Sequence, residues 1–67
     1  MCLSTIYKDE INKENIIMKN VMNIEVIKDE VVLTDLMEKK LRFKGTLTKA
    51  NLVDGYVIVH MDGNAHE

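Results

Sequence analysis

The chain has 67 residues, with nine Lys or Arg against eleven Asp or Glu, one cysteine, no proline and no tryptophan. That length holds one domain, residues 1–67, whose core is marginal unless a disulfide, a metal or self-association reinforces it. One cysteine excludes an internal disulfide, and the net charge of −2 argues against the basic excess that nucleic-acid domains carry.

Seven isoleucines and seven valines favour strands, because β-branched side chains fit a pleated surface. In chain order the alternation predicts a strand over residues 2–7, then a polar turn through KDEINKE (8–14). Further strands follow at 15–18 and at 21–27, where Met22, Ile24 and Val26 oppose Asn23 and Glu25. KDE (28–30) makes a tight turn into a strand over 31–36. Met37 and Glu38 turn the chain into 39–45, where Leu41 and Phe43 share a face opposite Lys40, Arg42 and Lys44. A competing helical reading covers 35–44, since Leu36, Lys40 and Phe43 also fall in helical spacing. A strand at 46–53 then meets Asp54-Gly55, a hairpin signal between two apolar runs, and a last strand at 56–61. Residues 62–67 read as a fraying tail. Six or seven short strands with short links make an all-β fold, a compact antiparallel barrel or curled sheet. An open edge at the two-faced apolar strand 56–61 would offer a dimer contact.

Enzyme chemistry finds little footing. His60 and His66 are the two histidines, so no Ser–His–Asp set can be assembled, and Gly45, Gly55 and Gly63 form no phosphate-cradling loop. His60 reads as a half-buried, hydrogen-bonded strand residue, and its spacing from His66 matches no firm ligand pattern. Met18, Met22 and Met61 read as core filler. No apolar run reaches the roughly 20 residues needed to cross a bilayer, and no basic-then-apolar leader precedes the cysteine. The expected compartment is therefore cytoplasmic, where a thiol stays reduced.

The cysteine itself is residue 2. A surface thiol without a role is the bland reading. The sharper one rests on covalent geometry: the Cys2 thiolate, its own backbone nitrogen and the Met1 amine are joined by two-atom bridges. A metal held by all three closes two fused five-membered rings, which suits the tetragonal preference of nickel(II) or copper(II). Zinc would want a tetrahedral set of firm ligands that this chain does not supply. Two chains related by a two-fold axis could bring both termini together and complete a square.

MCLSTIY at 1–7, VMNIEVIKDEVVLTDL at 21–36 and KGTLTKANLVDGYVIV at 44–59 resemble the CooT-type nickel-binding proteins. These are small accessory proteins, some linked to maturation of the nickel-containing carbon monoxide dehydrogenase. The resemblance spans nearly the whole chain and is sharpest at the MCL start. It implies an SH3-like antiparallel β-barrel, a homodimer, and Ni(II) bound through Cys2 with Met1 supplying the terminal amine. The implied partner is a nickel-dependent enzyme or its maturation factors. Two rival functions stand beside it. One is a small RNA-binding barrel, resting on Lys39, Lys40, Arg42 and Lys44 with Phe43, Tyr7 and Tyr56 as the available aromatics. The other is a metal-independent protein–protein adaptor working through an apolar edge.

Overall fold

A computed structural model describes residues 3–62. Five strands follow in chain order: β1 (Ser4–Lys8), β2 (Ile16–Ile27), β3 (Glu30–Asp35), β4 (Lys40–Asn51) and β5 (Tyr56–Met61), with one short 3-10 turn at Lys13–Asn15. They close into a barrel in the order β1-β2-β3-β4-β5. Each successive pair is antiparallel, and β5 returns parallel to β1 to shut the ring. The expected all-β barrel is the fold. Helix is confined to that single 3-10 turn among the described residues, so the helical reading of 35–44 gives way to β4.

The strand count is lower than expected for a physical reason. β2 pairs with β1 through its first half and with β3 through its second, the change falling at Val21. β4 likewise serves β3 up to Lys44 and β5 from Gly45 onward. What reads as two short strands is in each case one long strand that turns a corner of the barrel. In β2 the corner is taken by Asn20 at φ 56 and by register shifts on both pairings. In β4 it is taken by Gly45. A Cβ placed there would lie 2.2 Å from the His60 carbonyl oxygen, so only glycine lets the two strands approach this closely.

The core is the inner face of this ring: Ile6, Val21, Val31, Leu33, Phe43, Val57 and Val59, flanked by Ile17, Met18, Ile24, Leu41 and Met61. Period-two alternation delivers it on β4 and β5 as expected. On β2 it does not. The register shift between Val21 and Asn23 buries Val21 and turns Met22 outward, while Val26 lies near the hairpin tip, exposed. Met22 is therefore not core filler, whereas Met18 and Met61 do pack against the core.

The turns are built by side chains. Asp35, nearly buried at the end of β3, accepts backbone N–H bonds from Met37 and Lys39 on Oδ1, both at 2.9 Å. Asn51 closes the β4–β5 turn by accepting from Val53 N and Asp54 N and by donating to Asp54 Oδ2. That turn occupies 52–55, so Leu52 and Val53 leave the expected strand and stand in solvent.

Replacing Gly45 with alanine should lower stability by about 3 kcal/mol, because the added methyl meets backbone that cannot yield. Thermal and urea denaturation would measure this, and a midpoint equal to that of the wild type would contradict the close approach.

Candidate metal centre

Met1 and Cys2, the expected ligands, lie outside the described residues, as does His66. Thr5 N donates to Gly55 O at 2.9 Å, Gly55 stands at φ 77, and a Cβ on it would lie 3.3 Å from the Leu3 carbonyl oxygen. The entry to β1 is thus tied to the 52–55 turn. Beside it opens a shallow groove of about 240 Å³, whose lining includes Ser4, Met22, Ile24, Leu47 and Leu52. Met22, Leu47 and Leu52 are all exposed, and Val53 on the adjoining turn is 95% exposed. The side of the barrel where the chain enters β1 therefore presents a collection of apolar side chains to water.

His60 occupies a different place. Its Nδ1 lies 2.9 Å from Asp9 Oδ1, so it has a hydrogen-bond partner as expected, but the side chain is exposed rather than half-buried. Alternation puts Val57 and Val59 inside and His60 outside, on a strand whose inward face is already filled. Asp9 follows the far end of β1. From Ser4 to Asp9 an extended chain advances about 15 Å, so His60 stands well away from the entry to β1 in the same chain. Among the described residues, no three His, Cys, Asp or Glu side chains gather into a cation site.

The basic run on β4 does not make a base-stacking platform. Lys40, Arg42 and Lys44 point outward as expected, but Phe43 is buried in the core on the opposite face. Arg42 is moreover paired with the Glu30 carboxylate across the β3–β4 ladder. A different arrangement went unanticipated. Tyr7 and Tyr56 meet edge to face across the closing seam, 6.4 Å between ring centroids, with Lys49 Nζ 5.9 Å from the Tyr56 ring. No local pattern signals it, since 49 residues separate the two rings and a parallel pairing of first and last strands brings them together.

A family profile described as CO dehydrogenase accessory protein CooT matches residues 1–60. The chain belongs to the CooT family. That membership carries an accessory role toward CO dehydrogenase. Comparisons with curated proteins and with solved structures gave no match. No helix among the described residues is long and apolar enough to cross a membrane.

His60→Gln should leave nickel affinity in a calorimetric titration unchanged, while altering stability by no more than about 1 kcal/mol, as for exposed ion pairs generally. A clear loss of nickel binding would place His60 among the ligands.

Proposed function

We propose that this CooT-family chain is a homodimeric, cytoplasmic nickel(II)-binding protein that stores the ion or delivers it to a nickel enzyme such as carbon monoxide dehydrogenase. The observation that carries the reading is the family match across residues 1–60, a span that includes the sole cysteine at position 2. Here nickel is cargo. The Cys2 thiolate is the chief ligand, assisted by one nitrogen at the start of the chain, its own backbone nitrogen or the Met1 amine. Two chains each contribute one such arm, so that two sulfurs and two nitrogens complete the square that nickel(II) prefers.

The described geometry is compatible with that pairing on two counts. The apolar groove at Met22, Leu47 and Leu52 lies beside the entry to β1, so covering it with a second copy would bring the two chain starts toward each other. Closure of the barrel pairs β5 on both sides, so no open β5 edge is left to make the expected dimer contact, and a second copy would pack on a face.

Cys2→Ser should abolish tight nickel binding while leaving the far-ultraviolet spectrum unchanged; undiminished affinity would refute the site. The ordinary pKa values of a thiol and an α-amine both lie above neutrality, so binding must displace protons from both. Affinity should therefore rise steadily from about pH 6 to about pH 8. A titration series over that range checks the sign, and a flat profile would contradict thiolate and amine ligation.

A further inference from the structure

The outer face of the β1–β5 seam carries a cationic, aromatic surface that the metal site does not use. Thr5 and Tyr7 on β1 point outward beside Tyr56 and Ile58 on β5, because their neighbours Ile6 and Val57 are buried. Tyr7, Thr5 and Ile16 line a shallow depression together with Lys13 and Lys19. The edge-to-face contact of Tyr7 with Tyr56 extends this surface to Lys49, whose ammonium lies within cation–π range of the Tyr56 ring. Three ammonium groups thus border two half-buried rings and two isoleucines. Two close pairings of basic with acidic side chains occur among the described residues, Arg42 with Glu30 and His60 with Asp9, and neither engages Lys13, Lys19 or Lys49. The bordering loop carries three carboxylates: Asp9 is turned to His60, Glu14 adjoins Lys13, and Glu10 is exposed in the turn after β1.

Resting on the accessory reading above, we propose that this Lys13–Lys19–Lys49 face, floored by Tyr7 and Tyr56, docks an acidic segment of the protein that receives the ion. Charge complementarity selects the sign of the partner, and a rim of lysines around apolar and aromatic area is the usual anatomy of a protein contact. Single-stranded nucleic acid fits less well. The two rings stand at 77° to each other and offer no succession of parallel faces for bases. The patch also holds no arginine, the side chain whose planar fork matches phosphate oxygens two at a time.

Fluorescence anisotropy of a labelled octaglutamate peptide and a labelled octauridylate RNA against the full chain tests this. The peptide should bind, weaken as salt rises, and lose about tenfold in affinity in Lys13→Glu/Lys19→Glu/Lys49→Glu, as expected for removal of several contact charges. Lys39→Glu/Lys40→Glu/Lys44→Glu, which reverses as many charges on another face, should keep affinity close to wild type. If the first triple variant fails to fold by circular dichroism, the Lys→Gln version at the same positions should still show the loss. Equal losses in both triple variants, RNA binding tighter than the peptide, no peptide binding at all, or a shift to dimer abolished by the seam substitutions would each overturn the proposal. Nickel titration separates this from the metal reading: the seam variants should bind nickel normally, and Cys2→Ser should bind the peptide normally.

Discussion

Parallel pairing of β1 with β5 is the contact on which the rest of the molecule depends. Five strands laid out in sequence would leave β1 and β5 as open edges, each a row of unpaired N–H and C=O groups. Joining Thr5 to Tyr56 and Lys8 to Val59 removes both edges at once. The same seam sets Ile6 against Val57 inside the barrel and Tyr7 near Tyr56 outside it. It also holds the entry to β1 against the 52–55 turn, through Thr5 and Gly55. Closure therefore does three things together: it completes a small core, protects the backbone and fixes where the chain enters β1.

Closure has a geometric cost that β2 and β4 absorb. A ring of five strands can shut only if some of them bend sharply, and two strands of twelve residues each do so by changing partner midway. Asn20 accepts a left-handed backbone to make one corner, and Gly45 gives up its side chain to make the other. Both corners also decide which residues face inward. The shift at Val21 is why Met22 joins the apolar exterior near the start of β1 instead of the core.

Local signals carried much of this fold. The alternation at Leu41 and Phe43, and at Val57 and Val59, is enough to name the inward residues, because straight ladder segments obey period two. The Asp54-Gly55 turn is equally plain, although Asn51 does the capping and strand pairing ends two residues earlier than the apolar pattern implies. The corners were not legible. A strand that switches partners shows the same polar interruption as a strand that ends, so 15–18 with 21–27, and 39–45 with 46–53, read as four elements. Nor could His60 be placed, since its alternation is compatible with a half-buried or an exposed position until the barrel's diameter is known. The expected metal ligands, Cys2 and Met1, are named by covalent geometry and family resemblance, and both lie outside the described residues. The Tyr7–Tyr56–Lys49 cluster had no signal at all, being a product of long-range topology.

Under the proposed function the barrel serves two tasks. The end where β1 begins gathers exposed apolar side chains, and the outer seam gathers cations around two rings. A carrier needs both a seat that opens and a surface that orients the receiver. Central to this account is a single nickel ion shared by two copies of Cys2. Native mass spectrometry of the nickel-loaded protein tests it most directly. The account predicts a dimer carrying one nickel ion, with the free chains otherwise metal-poor. A monomer carrying its own ion, or a dimer carrying two, would contradict it.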